Sequence, residues 1–243
     1  MRRQWARQLL DMLGIALHSV PISVPPGTLV VANHVSWLDV FVLNTLFDCS
    51  FVAKAEIAGW PFFGALLRAH DTLYVDRRPG RHLLAVNARI AERLGRGDIV
   101  VFFPEGTTTD GSVLLPFRSA LFQSAINGGH PVQPFALEYT VNGERCGAAA
   151  FVNDQTLLQS LACVARLGGL TVRVEAGKRI DARGLGRKSV AALAREEVYR
   201  RLCAGSSHAA RPVQGGMRSA WACSGASGPG DTRWPGWRIT TRA

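Results

Sequence analysis

Acidic residues are scarce in this 243-residue chain: 18 Asp and Glu stand against 28 Lys and Arg, for a net charge of +10. A surface so far from neutral attracts anionic partners, whether nucleic acid or the phosphates of a membrane leaflet. Nucleic acid is disfavoured by a second lack, because no arginine-rich helix, RNP-like aromatic pair or zinc spacing is present. Cysteine is sparse as well. Cys49, Cys146, Cys163, Cys203 and Cys223 are odd in number, far apart and without a C-x-x-C pair. That argues against a disulfide framework and a zinc site, and reads them as small buried hydrophobes in a reducing compartment. Nor is there a convincing membrane span near the N-terminus. Asp11 breaks the apolar run there and Pro21 stops it short of the roughly 20 residues a span needs. The same Asp11 speaks against a secretory signal. No internal repeat is visible. What remains is 47% hydrophobic, enough for one sizeable α/β domain and short for two.

Two stretches carry the chemistry. The first is Asn33-His34-Val35-Ser36-Trp37-Leu38-Asp39, between the apolar runs 29–32 and 40–43. A short β-rich run, a polar break and a longer run with helical spacing predict strand, tight loop and helix, with the polar residues at the strand's C-terminal end. On one continuous helix His34 and Asp39 would point about 140° apart. Ser36 and Asp39, however, have the spacing of a capping box. With Ser36 as N-cap, His34 lies on chain that can fold back over the first turn and meet Asp39. A carboxylate bonded to one ring nitrogen fixes the tautomer and leaves the other nitrogen as a general base. The bland alternative is turn chemistry for Asn33-His34 and an ordinary helix start for Ser36 and Asp39. The second stretch is the strand 99–103 running into Pro104-Glu105-Gly106-Thr107-Thr108-Thr109-Asp110-Gly111. Small residues and hydroxyls at a strand end present backbone N–H groups to an anion.

These stretches resemble the signature blocks of the glycerolipid acyltransferase family, whose members acylate 1-acylglycerol-3-phosphate and related lysophospholipids. His34-Val-Ser-Trp-Leu-Asp39 matches the HxxxxD signature and Phe103-Pro104-Glu105-Gly106-Thr107 the FPEGT signature. Tyr74-Val75-Asp76-Arg77 resembles the intervening block that ends in an arginine, and Val132-Gln133-Pro134-Phe135 the fourth, proline-containing block. The resemblance implies acyl transfer from an acyl thioester, carried by coenzyme A or acyl carrier protein, to the free hydroxyl of a lysolipid. It implies His34 and Asp39 as the catalytic pair, with Arg77, Glu105, Gly106 and Thr107 binding the acceptor. No cofactor or metal is required. The implied place is the cytoplasmic face of the inner membrane, with membrane lipids as partners. Where the family's block begins with glycine, this chain has Asp71, whose charge would disfavour a phosphate acceptor and favour a zwitterionic or amino-acid lysolipid unless it faces solvent or pairs with Arg68. A catalytically silent lipid-binding protein and a thioester hydrolase are the rival readings.

Along the chain, the residues to Leu17 read as a basic amphipathic helix, with Trp5, Leu9, Met12, Leu13 and Ala16 on one side and Arg2, Arg3 and Arg7 near its start. Such a helix lies in a membrane interface or packs on the core. Lys54 closes a short strand at 50–53 and faces either a ligand or solvent. The apolar cluster from Trp60 to Leu67 walls an acyl channel or forms core. A strand at 72–76 is followed by a helix ending at Gly95-Arg96-Gly97, the strand to Phe103, a helix over 117–126 and a strand over 132–139. Weaker signals predict a strand at 148–152, a helix at 156–166, a strand at 170–175 and a helix at 187–202. The fold class predicted is α/β: a single domain with a mixed, largely parallel sheet flanked by helices. The organisation expected is an N-terminal interface helix at 1–24, an acyltransferase domain at 25–203 and a disordered basic tail at 204–243.

Overall fold

Four fully buried residues, Leu29–Ala32, form the strand that positions the site. In the computed structural model, which describes residues 2–54, 72–75, 81–152 and 155–208, this strand (β2) lies between β5 (Val100–Phe102) and β6 (Pro131–Val141), parallel to both. Beyond β5 come β3 (Ser50–Lys54) and β4 (Leu73–Val75), also parallel. On the other side β6 pairs antiparallel with β8 (Leu170–Ala176), which pairs in parallel with β1 (Ala16–Ser19). Two short strands, β7 (Glu144–Arg145) and β9 (Ile180–Asp181), add antiparallel pairs to β6. The sheet is mixed and largely parallel, as the alternation of β runs and helical runs requires.

Helices cover both faces, and β2 shows why. Its side chains alternate, so Val30 and Ala32 enter one core while Leu29 and Val31 enter the other. On the first face lies α2 (Leu38–Leu46), buried from Leu38 through Asn44 because α1 (Arg2–Met12) packs over it. On the second lie α3 (Arg81–Gly95) and α4 (Gln123–Gly128). Helix α5 (Leu157–Arg166) starts with a capping box between Thr156 and Gln159 and joins the first face. Helix α6 (Arg187–His208) runs over the second face and against β6. Among the described residues, no helix is long and apolar enough to cross a membrane.

Several expectations change. The N-terminal helix stops at Met12 rather than Leu17. Gly14, with φ +66°, reverses the chain, and 16–19 become β1 on the edge of the sheet. The face that packs on α2 centres on the fully buried Ala6 and Leu10, the Leu10 side chain contributing about 1.5–3 kcal/mol by burial. Trp5 and Met12 stay exposed, at 44% and 76%. Residues 2–19 thus belong to the fold itself. The strand expected at 148–152 is absent: 147–149 form a 3-10 turn, and Phe151 ties loops together instead of joining the ladder. The helix expected from Phe117 begins with a 3-10 turn at 120–122 and is α-helical only from Gln123. The last helix passes Leu202 and continues through His208, so the first residues of the expected tail are helical. Among the four described cysteines only Cys49 is buried; Cys146, Cys163 and Cys203 are partly exposed. The side chain of Lys54, the cluster 60–67, Asp71, Arg77 and the tail from 209 lie outside the described residues.

Candidate active site

Because β2 and β5 are neighbours in a parallel ladder, with Val31 opposite Phe102, the two loops that follow them leave the sheet side by side. This is the carboxyl end of the strands, where open α/β sheets bind ligands. Asn33 decides where β2 stops. Its side-chain amide donates to the Leu137 carbonyl (2.9 Å) and accepts from the Leu137 N–H (2.8 Å), continuing the ladder with β6 after the backbone has turned away. His34 then stands clear of the sheet.

The imidazole Nδ1 of His34 lies 2.8 Å from Asp39 Oδ2. The same oxygen accepts from the N–H groups of Val35 (2.8 Å) and Ser36 (3.0 Å). That is half of the expected capping box: Asp39 reaches back to the backbone ahead of α2, but Ser36 gives no side-chain cap, and its buried hydroxyl has no partner among the described residues. The fold-back of His34 over the first turn is nevertheless the one the spacing allowed. Asp39 is fully buried, whereas the side chain of His34 retains 21% exposure. The ring stacks on Phe103, with centroids 4.0 Å apart and planes within 10°. Nε2 has no hydrogen-bond partner among the described residues.

Sequence reasoning missed the second side chain that bonds to Asp39. The phenol of Tyr139 donates to Oδ1 at 2.7 Å, from 100 residues away. Phe135, Leu137 and Tyr139 alternate along β6 toward α2, and a phenol on an otherwise apolar strand face needs a partner. That was the available signal.

Glu105 is buried and faces inward. One oxygen accepts from the His34 N–H at 2.8 Å, the other from the Leu115 N–H at 2.9 Å. Burial, with a smaller contribution from the Asp39 charge, raises its pKa above the ordinary glutamate value, while the Leu115 and His34 N–H groups work the other way. Of its two expected partners, acceptor hydroxyls or loop N–H groups, the described structure supplies the second. The His34 carbonyl in turn accepts from the Thr109 N–H (2.9 Å), so the β5 loop holds the His34 backbone on both sides. The Thr108 hydroxyl donates to the Phe151 carbonyl, and the Phe151 N–H donates to the Val35 carbonyl. Gly106 has φ +75°, a conformation that favours glycine, and a Cβ there would also push aside the Arg118 side chain, whose Nε would lie 2.8 Å away. The Gly106 N–H closes a turn onto the Phe103 carbonyl (3.1 Å), and Thr107 is exposed beside it. Arg77 lies outside the described residues. Among the described residues no group of three His, Cys, Asp or Glu is placed to hold a metal ion.

The chain belongs to the acyltransferase family. That family matches residues 19–138, and the lyso-ornithine lipid O-acyltransferase of Rhizobium meliloti is 37% identical over 216 residues, 82% of this chain and 74% of that protein. The 1-acyl-sn-glycerol-3-phosphate acyltransferase of Neisseria meningitidis serogroup B is 41% identical over 152 residues, covering 62% of this chain and 59% of its own length. This chain thus spans about three fifths of that relative. The crystal structure of the 1-acyl-sn-glycerophosphate (LPA) acyltransferase PlsC from Thermotoga maritima superposes with a TM-score of 0.62 over 84% of this chain and 77% of that one. At 18% identity it shows the fold.

Proposed function

We propose that this protein transfers an acyl chain from an acyl thioester to the free hydroxyl of a lysolipid. The observation that carries the reading is the His34–Asp39 pair at the end of β2, with Nδ1 engaged and Nε2 open on a partly exposed ring. An alcohol attacks a carbonyl slowly until a base takes its proton. Nε2 removes that proton as the hydroxyl oxygen bonds to the thioester carbon. The tetrahedral adduct then collapses, the carbon–sulfur bond breaks, and the imidazolium returns the proton to the departing thiolate. Lysolipid and thioester become diacyl lipid and free thiol. The acceptor is itself the nucleophile, so no serine or cysteine of the protein is required.

Thr107 and Arg77 remain the assigned contacts of the acceptor head group, Arg77 on its motif position alone; a guanidinium fork suits phosphate. Gly106 gives close backbone approach. Glu105 holds the loop. Coenzyme A and acyl carrier protein are both suitable carriers of the donor.

For the acceptor, 1-acylglycerol-3-phosphate is the first reading, supported by the signature blocks and by 41% identity to the Neisseria relative. The second is lyso-ornithine lipid, supported by the match that spans 216 residues. The deciding experiment incubates purified protein with labelled acyl thioester, with and without each lysolipid. Acceptor-dependent ester identifies the transferase and ranks the acceptors. Free fatty acid made without acceptor would indicate a hydrolase, and no turnover a silent lipid-binding protein.

The reading places the protein peripherally on the cytoplasmic face of the inner membrane. Exposed Trp5 and Met12 on α1, beside exposed Arg2, Arg3 and Arg7, support contact with anionic lipid. Replacing Trp5 and Met12 together with Ser is expected to release the protein from anionic vesicles in a sedimentation assay while unfolding stays cooperative, at a somewhat lower midpoint because the Trp5 ring packs on Phe41. Sedimentation equal to wild type would remove α1 from the contact.

A further inference from the structure

Asp39 has two oxygens, and they are served unequally. Oδ2 takes His34 Nδ1 and two backbone N–H groups, whereas the one donor to Oδ1 among the described residues is the Tyr139 hydroxyl. The carboxylate is fully buried, so no water shell can substitute for a missing partner. Tyr139 is itself buried and its backbone is held on both sides: it pairs with Val172 of β8, and its carbonyl accepts from the Cys146 N–H at 2.9 Å. Its phenol therefore meets Asp39 from a fixed position.

We propose that Tyr139 is a positioning residue for the acyl transfer assigned above: by donating to Oδ1 it fixes which oxygen faces His34 and moderates how strongly Asp39 draws the imidazole proton. This rests on the proposed function only for its kinetic half. A carboxylate that already accepts a hydrogen bond from a phenol has less charge to offer an imidazolium. Take the phenol away and Asp39 holds the proton on His34 more firmly, so the base is lost at a higher pH. Strengthen the phenol as a donor and the shift reverses. Burial and the neighbouring Asp39 charge raise the phenol's own pKa well above its ordinary value, so it remains a donor throughout the working range. The other titratable group that the described residues bring against the pair is Glu105, from the loop after β5. It meets His34 through the backbone N–H and does not touch the ring.

The test compares three full-length proteins: wild type, Tyr139→Phe, and a protein carrying 3-fluorotyrosine at position 139. The fluorinated ring keeps the shape and has a more acidic phenol, so it answers the question even if the Phe variant folds poorly. NMR of labelled histidine follows the titration of His34, and the acidic limb of the kcat/KM profile is measured alongside. The His34 midpoint is expected to rise by about half to one pH unit in Tyr139→Phe and to fall with fluorotyrosine, and the kinetic limb to move with it. In Tyr139→Phe kcat is expected to drop about tenfold while KM for the lysolipid changes little, because the buried phenol touches no substrate. One midpoint in all three proteins would overturn the proposal. So would a midpoint that moves while the kinetic limb stays put, or a lower kcat with both unmoved, which would be a purely structural role. Should the wild type transfer no acyl group, the proposed function fails separately and the His34 titration alone decides the role of Tyr139.

Discussion

Two buried carboxylates serve the same loop in different ways. Asp39 and Glu105 each accept two backbone N–H groups, yet Asp39 also grips the imidazole and a phenol, whereas among the described residues Glu105 accepts hydrogen bonds from backbone alone. Asp39 comes from five residues along the chain and Glu105 from 71. The nearer acid orients the ring; the distant one holds the loop on which the ring is mounted. A carboxylate in a signature motif is therefore no sign of contact with substrate until its oxygens have been followed to their donors.

The sharpest way to break this comparison is to remove each acid and read rate and stability separately. His34→Ala and Asp39→Asn are expected to lower acyl transfer by roughly 10²- to 10⁴-fold, the usual range for a lost base or its orienting partner. Unfolding should stay cooperative. Near-normal turnover in either variant would end the dyad assignment. Glu105→Gln comes next. An amide has one acceptor oxygen, so one of the two N–H groups loses its partner and meets an NH₂ instead. Stability is expected to fall by about 1–3 kcal/mol, and rate by up to about 10²-fold through the displaced loop. If the loss appears wholly in acceptor KM with stability unchanged, Glu105 is a binding group after all. Smallest is Ser36→Ala. The hydroxyl caps nothing, so denaturant unfolding should change by no more than about 0.5 kcal/mol. A larger loss would restore the full capping box.

That last prediction marks where the sequence could be followed and where it could not. Strand-loop-helix order, the parallel sheet and the meeting of His34 with Asp39 were legible, because periodicity and local spacing determine them. Strand β1 was not. Its residues are mostly exposed and it is held by pairing with β8, so it continues the apolar pattern of the preceding helix with no signal of its own. The inward turn of Glu105 depends on Leu115 N–H, and the phenol on Asp39 depends on the register of β6 beside β2. The first is a loop contact ten residues long with no periodic signal, and the second names its partner only through tertiary pairing. Arg77 was legible as a motif residue and lies outside the described structure.

The amide of Asn33 reaches Leu137, 104 residues later in the chain, and Asp39 waits for Tyr139 across 100. On a ribosome adding about 5–20 residues per second, the histidine has been in existence for roughly 5–20 seconds before the strand that terminates β2 and completes the carboxylate's shell is made. Closing so long a loop is slow as well as late. A nascent or truncated chain that ends before β6 carries both signature motifs intact and still lacks the Leu137 bonds to Asn33 and the phenol on Asp39, so possession of the motifs and completion of the hydrogen-bonded arrangement are separated in time during every round of synthesis.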